Sequence, residues 1–198
     1  IAICGYHGWH DWYLSANLKN RNNLNNHLMQ DLKIDGVNKK LKDSIVSFEY
    51  NNFSQLEKLI STNSLAAVIM EVSRDQKPQN NFLKKIRSIT KKNNIVLIFD
   101  ECTSGFRENF GGLHKNFNTV PDIAVYGKAL GNGYAITAVV GTEEVMKSAN
   151  SSFISSTFWT ERTGPTAALK TLEIMEKTQS WKTISKLGKF YKETLVKL

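Results

Sequence analysis

The sequence predicts an α/β fold: a mainly parallel sheet with helices on both faces. Short apolar runs alternate with helical patterns along most of the chain, as in IAICGY, LAAVIME and IVLIFDE. These runs are apolar almost throughout rather than at every second residue, which is typical of strands that are covered on both faces. Alternation of such strands with helices is typical of a parallel sheet.

The predicted strands and helices follow one another in a regular order. IAICGY is the first strand, and the polar stretch NLKNRNNLNN after it is rich in turn-forming residues. SIVSFEY is a strand, and NFSQLEKLIS is a helix with Ser54 as its N-cap. LAAVIME is the next strand, and the amphipathic helix NNFLKKIRSITKKNN follows it. IVLIFDE, DIAVY and ITAVVG are three more strands, and the chain is mostly helical from about Trp159 onward.

Composition limits the classes of protein to which the chain can belong. With 198 residues and 41% hydrophobic content, it is long enough for a sizeable core and is not typical of disorder. No apolar run reaches the length of a membrane span. The two cysteines, Cys4 and Cys102, make no disulfide framework, which indicates the reducing cytoplasm.

The net charge of +8 raises nucleic acid as a partner. Many of the lysines fall on the polar faces of predicted helices, however, so we expect no nucleic-acid partner and no membrane partner. The chain begins without Met inside a strand pattern and ends inside a helical one. We therefore expect a piece of a longer protein.

Polar residues of several types stand where the predicted strands end. Tyr6 and His7 follow the first strand, and Glu71, Asp100 and Lys128 end or follow three later ones. Ligands bind beyond the carboxyl ends of the strands in sheets of this kind, so we expect a site along this edge.

Asp100 and Lys128 allow three interpretations. Asp100 ends an apolar run and could cap a helix or a turn, and the two residues could form a simple ion pair. Alternatively, both could serve pyridoxal 5'-phosphate, which needs a lysine for its Schiff base and an acidic partner for its pyridine nitrogen. The glycines Gly127, Gly131 and Gly133 allow tight turns beside a flat cofactor but complete neither a Walker loop nor a dinucleotide fingerprint.

Two blocks of the sequence resemble one family. IFDECTSGFRENFGG, followed by PDIAVYGKALGNGYAITAVVG, is very similar to class III pyridoxal-phosphate-dependent aminotransferases, closest to the glutamate-1-semialdehyde 2,1-aminomutase-like branch. GYHGWHDWY and STFWTERTGPTAALKTLE support the same resemblance. It implies the large domain of fold type I, with residues 1–150 as a partial cofactor-binding domain. Residues 151–198 would be a helical segment leading to a C-terminal small domain.

The resemblance also implies a reaction. An amino group would pass between an amine or amino acid and a carbonyl compound by ping-pong Schiff-base chemistry on Lys128. The alternatives are an aminomutase, which moves the amino group within one molecule, and a non-catalytic basic binding module of the same fold. A decarboxylase of this fold would share Lys128 and Asp100 but not the SGFRENFGG block.

The family's cofactor-binding residues carry over by position. Lys128 would form the Schiff base, Asp100 would pair with the pyridinium, and Tyr6 would stack on one face of the ring. His7 would sit close to the cofactor. Cys102 stands where the family usually has Val, against the other face of the ring.

Thr160 matches the family threonine that reaches the phosphate of the neighbouring subunit's cofactor, with Thr157 as the fallback. The resemblance therefore implies a homodimer with a shared active site. The family usually reads Glu-Pro where this chain has Glu71-Val72, so the turn after Glu71 lacks the family's proline. We expect Arg107 to hold its turn through an ion pair rather than to bind substrate.

His7, His10 and Asp11 lie close enough together to suggest a metal site. No further cluster of His or Cys supports that interpretation, and the family motif explains these residues without metal. We therefore expect no metal ion, and structural roles for His10 and Asp11.

Overall fold

The structure of the protein is a computed structural model that describes residues 1–197. The chain packs into two compact units, the first from Ile1 to Asp100 and the second beginning at Glu101. The predicted division into residues 1–150 and 151–198 concerns the roles of these segments and stays a prediction.

A parallel sheet of four strands forms the centre of the first unit. The strands stand in the order β2-β1-β3-β4. Their bounds are Ala2–Cys4 for β1, Val46–Ser47 for β2, Ala67–Glu71 for β3 and Val96–Asp100 for β4. The register pairs Glu71 with Asp100. These two carboxyl side chains therefore come from adjacent positions at the carboxyl edge of the sheet.

The connections between these strands cover both faces of the sheet. The chain runs from β1 outward to β2 through a segment with the short helix α1 (Asp11–Leu14). It then runs in the opposite direction, to β3 through α2 (Phe53–Thr62) and on to β4 through α3 (Phe82–Lys92). Parallel crossovers are right-handed, so connections of opposite direction lie on opposite faces. The direction changes between β1 and β3, which makes the ends of these two strands a favoured place for a ligand.

Two local features of the first unit differ from the prediction. Ser54 is not the N-cap of α2: Asn52 caps the helix, and its Oδ1 accepts a hydrogen bond from the Gln55 amide at 3.1 Å. An Asn at this position competes successfully because its side chain reaches the same free amides. The predicted strand SIVSFEY is reduced to Val46–Ser47, whereas α3 buries Phe82, Leu83 and Ile86 as its pattern predicts.

The second unit contains two strands and three α-helices within its described residues. β5 (Ile123–Tyr126) and β6 (Ala138–Gly141) pair antiparallel. The helices are α4 (Glu143–Met146), α5 (Thr163–Thr178) and α6 (Ser180–Leu195), so the helical region begins slightly later than the predicted Trp159. Ala124 and Tyr126 pack with Leu130 and Ala168 in one core cluster. This cluster anchors the turn after β5.

The strands seen in the two units confirm the predicted α/β fold with mainly parallel strands. Across residues 1–197, we find no helix with the length and apolar character needed to cross a bilayer.

Candidate active site

The turn after β1 is fixed by side chains on its backbone. Gly5 has φ +108°, and a Cβ there would lie 2.6 Å from Glu71 Oε2, so only glycine fits. The Gly5 amide donates to His27 Nδ1 at 3.0 Å, and the Tyr13 hydroxyl donates to the Gly5 carbonyl at 2.9 Å. The Tyr6 amide donates to Glu71 Oε2 at 3.0 Å. These hydrogen bonds therefore fix the backbone of Gly5 and Tyr6.

The Tyr6 ring is surrounded by three other side chains. Its edge contacts with Trp9 and Tyr13 have centroid distances of 5.8 Å and 5.9 Å. The guanidinium carbon of Arg74 lies over the ring at 5.8 Å from its centroid, within the range of a cation–π interaction. The ring is half-buried, so it can still meet a ligand.

His7 and Asp100 form a buried pair at the carboxyl edge of the same unit. His7 Nδ1 lies 2.9 Å from Asp100 Oδ2, and the exposed fractions of the two side chains are 1% and 14%. A carboxylate only accepts hydrogen bonds, so Nδ1 carries the proton. Among the described residues, Nε2 of His7 has no hydrogen-bond partner.

Glu71 contacts both the Tyr6 amide and the Arg74 guanidinium, although Val72 replaces the family's Pro after it. Burial raises the pKa of Glu71, and the Tyr6 amide and the Arg74 guanidinium oppose that shift. Val72 is fully buried, and its carbonyl accepts a hydrogen bond from the Tyr50 hydroxyl. Side-chain contacts therefore hold the turn that proline would otherwise stiffen.

In the second unit, Glu101 supports the turn that carries Cys102 and Thr103. Its side chain is fully buried and accepts hydrogen bonds from the His114 amide at 3.0 Å and from the Ser104 hydroxyl. His114 Nδ1 lies 2.8 Å from the same carboxylate. Burial alone would raise the pKa of Glu101, but the hydrogen bonds from His114 and Ser104 outweigh it, and the pKa is lowered.

Lys128 follows β5 and is exposed. Its φ is +45°, a left-handed conformation that residues other than glycine rarely adopt and that is concentrated at functional sites. Its Nζ donates to Thr103 Oγ1 at 2.8 Å. Lys128 also lines an open cavity of about 730 Å³ within the second unit, together with Phe106 and Ile174.

Close packing joins the Lys128 turn to the Cys102 turn. A Cβ on Gly127 would lie 3.3 Å from Cys102 Sγ, so Cys102 packs against the residue that precedes the lysine. A Cβ on Gly131 would lie 2.1 Å from the Tyr134 carbonyl oxygen, which no larger residue could accommodate without a shift of the backbone.

Of the remaining candidates, Arg107 lines the same cavity as Lys128. Thr157 and Thr160 are exposed in the segment before α5, and their predicted roles toward a second subunit stay predictions. Arg107 donates from Nε to the Thr103 carbonyl at 2.7 Å, so it holds its turn through a backbone oxygen. His10 stacks on Trp12, and Asp11 begins α1.

The sequence does not predict three contacts: Thr103 with Lys128, Arg74 with Tyr6, and His114 with Glu101. Each contact joins residues that are distant in the sequence, so no local pattern indicates it. Only Thr103 carried a usable signal, since it lies inside the DECTSGFR block between two assigned residues.

Solved structures with a similar fold include transaminases. In solved structures, the chain is similar to an omega-transaminase from Sphaerobacter thermophilus, with a TM-score of 0.73 and 26% identity over 88% of this chain and 43% of that one. An S-selective transaminase from Bacillus megaterium has a TM-score of 0.77 and 19% identity, over 98% of this chain and 49% of that one. The fold is thus that of the fold type I transaminases.

The family model for class-III aminotransferases matches residues 4–198, and the chain belongs to that family. It is 35% identical to a 3-aminobutyryl-CoA aminotransferase of Cloacimonas acidaminovorans (strain Evry), over 96% of this chain and 44% of that protein. It is 36% identical to a glutamate-1-semialdehyde 2,1-aminomutase of Nitrosopumilus maritimus (strain SCM1), over 93% of this chain and 44% of that protein. The chain spans less than half the length of these relatives.

Enzymes of this family depend on pyridoxal phosphate, and the residues present fit that cofactor. The first unit supplies a carboxyl group backed by a buried imidazole, and an aromatic ring with fixed neighbours. The second unit supplies an exposed primary amine on the wall of a cavity large enough for a cofactor-sized ligand. A lysine amine and an acidic partner for the pyridine nitrogen are the groups that this cofactor needs.

Proposed function

We propose that the whole protein transfers an amino group between an amine or amino acid and a carbonyl compound, with pyridoxal 5'-phosphate as its cofactor. The observation that carries this proposal is Lys128. It lies two residues after β5 on the wall of the cavity, its backbone is left-handed with φ +45°, and its amine donates to Thr103 Oγ1 at 2.8 Å. An exposed amine held at the wall of a cavity is available to form a Schiff base.

Each candidate residue has a separate task in this proposal. Lys128 would hold the cofactor and, when free, would accept a proton from the substrate's alpha carbon as a general base. Asp100 would accept a hydrogen bond from the protonated pyridine nitrogen, and His7 would orient Asp100. Tyr6 and Cys102 would be the residues that contact the ring. The bound cofactor supplies the electron sink that makes the alpha proton removable.

A specific observation favours intramolecular transfer as the second candidate. The chain is 36% identical to a glutamate-1-semialdehyde 2,1-aminomutase, about as similar as to an aminotransferase. An aminomutase would consume no separate amino donor. A non-catalytic basic binding module has less support, because a module of that kind has no need of Lys128 and Asp100 together.

We further propose that the protein works as a homodimer in which Thr160 reaches the neighbouring subunit's cofactor, with Thr157 as the fallback. The segment that carries Thr160 supports this, since Phe153, Phe158 and Trp159 are 97%, 74% and 68% exposed. Large apolar side chains exposed together are typical of interaction surfaces. The proposed location is the cytoplasm, because a chain with two cysteines in 198 residues does not have the composition of a disulfide-rich secreted protein.

The test is borohydride reduction of the full-length protein with pyridoxal phosphate, followed by peptide mapping. We expect the pyridoxyl group on Lys128 and its loss in Lys128→Ala. Lys170→Ala is the matched control, because Lys170 lines the same cavity but pairs with Glu173 at 2.9 Å. An adduct spread over surface lysines, or lost equally in both variants, would overturn the proposal. Amino-donor consumption then separates a transferase from a mutase.

A further inference from the structure

Arg74 contacts Tyr6 in a way that the family motif does not explain. It lies in the loop after β3, three residues beyond Glu71, where this chain departs from the usual Glu-Pro. Its guanidinium carbon is 5.8 Å from the centroid of the Tyr6 ring. One cation therefore covers one face of the aromatic side chain to which we assign cofactor stacking.

The position of Arg74 is itself fixed by two further contacts. Nη1 lies 3.6 Å from Glu71 Oε2 and donates to the His27 carbonyl at 3.4 Å. The same Glu71 oxygen accepts the Tyr6 amide at 3.0 Å. The Glu71–Arg74 pair thus holds both parts of Tyr6: the carboxyl group fixes the backbone, and the guanidinium fixes the ring.

We propose that Arg74 is a positioning residue for the cofactor: it backs the Tyr6 ring on the face opposite to the one that stacks on pyridoxal phosphate. This inference rests on the proposed function. Arg74 and the cofactor would not share one face of the Tyr6 ring. The protonated pyridine nitrogen needs a carboxyl partner, and a guanidinium beside it would repel its positive charge. Arg74 is held by Glu71 and His27, which are contacts within the protein and need no ligand.

The role depends on a planar, permanently charged group. An Arg guanidinium keeps its charge at all working pH values and stacks on an aromatic face, whereas a Lys ammonium is a compact, strongly hydrated charge. Arg74→Met keeps much of the length of the side chain and removes the charge. Arg74→Lys keeps the charge and removes the plane.

The experiment measures pyridoxal phosphate binding by titration of the full-length apoprotein, with bound cofactor followed by absorbance. We expect Arg74→Met to weaken binding about fivefold, the effect of an exposed cation–π contact, and Arg74→Lys to recover part of the loss. Thermal unfolding of each apoprotein checks that the variants are folded.

A double-mutant cycle with Tyr6 separates positioning from a general structural role. In the Tyr6→Phe background the ring remains, and Arg74→Met should weaken binding as it does in the wild type. In the Tyr6→Leu background there is no ring to back, and Arg74→Met should have little further effect. An equal loss in both backgrounds would overturn the inference, because Arg74 would then act without Tyr6.

Two other outcomes are also decisive. Tighter binding by Arg74→Met would mean that the guanidinium occupies the stacking face and competes with the cofactor, which contradicts the inference. If wild-type protein binds no cofactor, or the reduced adduct does not map to Lys128, the proposed function fails first. Wild-type binding at Lys128 together with an unaffected Arg74→Met variant would refute the role of Arg74 alone.

Discussion

His7 and Asp100 are 93 residues apart in the chain, yet Nδ1 of one lies 2.9 Å from Oδ2 of the other. The imidazole is almost completely buried, whereas the carboxyl group keeps 14% of its surface exposed. The histidine thus fixes the carboxyl group from inside the unit and leaves part of it open to a ligand. The orientation of Asp100 is therefore set by a contact within the protein.

The first prediction concerns this pair. His7→Phe should weaken pyridoxal phosphate binding by roughly tenfold or more, because a hydrogen bond to a charged group contributes about 1.5–3 kcal/mol. Cofactor titration of the full-length protein measures the change. His10→Phe is the control, since His10 is exposed and stacks on Trp12. Equal losses in the two variants would contradict the role of His7.

Thr103 allows a test of how the Lys128 amine is oriented. Thr103→Val removes the oxygen that accepts from Lys128 Nζ at 2.8 Å and should lower kcat about tenfold. Thr103→Ser keeps the hydroxyl and should retain most of the activity. Steady-state kinetics with the full-length enzyme distinguish the two variants, and a Ser variant as slow as the Val variant would rule out the hydroxyl as the cause.

The lowered pKa of Glu101 leads us to expect that the protein loses stability at acidic pH. Its pKa is lowered in the folded state, because hydrogen bonds from His114 and Ser104 outweigh the effect of burial. The stabilisation is therefore fully present above the ordinary glutamate pKa and is lost as the pH falls through the lowered one. Wild-type protein should lose free energy of unfolding more steeply below about pH 5 than Glu101→Gln does.

At pH 7, Glu101→Gln should be less stable than wild type by about 1.5–3 kcal/mol, since it removes the charge from a fully buried hydrogen-bond acceptor. Urea unfolding across pH measures both effects. Glu143→Gln removes a largely exposed partner of Lys147 and should change little. Parallel acid profiles for wild type and Glu101→Gln would show that other carboxyl groups account for the loss.

Two glycines give opposite predictions for the same substitution. Gly131→Ala places a Cβ 2.1 Å from the Tyr134 carbonyl oxygen and should destabilise the protein by roughly 1–3 kcal/mol. Gly188→Ala, within α6, meets no atom within 4 Å and should stabilise the helix by up to about 1 kcal/mol. Thermal unfolding measures both, and a change of the same sign in each would contradict the packing argument.

The sequence predicts the strands and the residues at their ends, because a buried parallel strand must be apolar throughout and a polar residue that follows it stands out. Asp100 and Lys128 are of this kind. It cannot predict the contact of Arg74 with Tyr6 or of Thr103 with Lys128, because these depend on the path of whole loops. The N-cap of α2 shows a smaller limit: Asn52 and Ser54 are both suitable residues, and only their geometry decides between them.

The left-handed backbone of Lys128 sets activity against stability. An L-residue in this conformation is less stable than glycine by roughly 1–2 kcal/mol, so the protein would fold more firmly with glycine at the position on which its proposed chemistry depends. Under the proposed function, stability and activity therefore make opposite demands on this position: glycine would relieve the backbone, and only lysine would supply the amine.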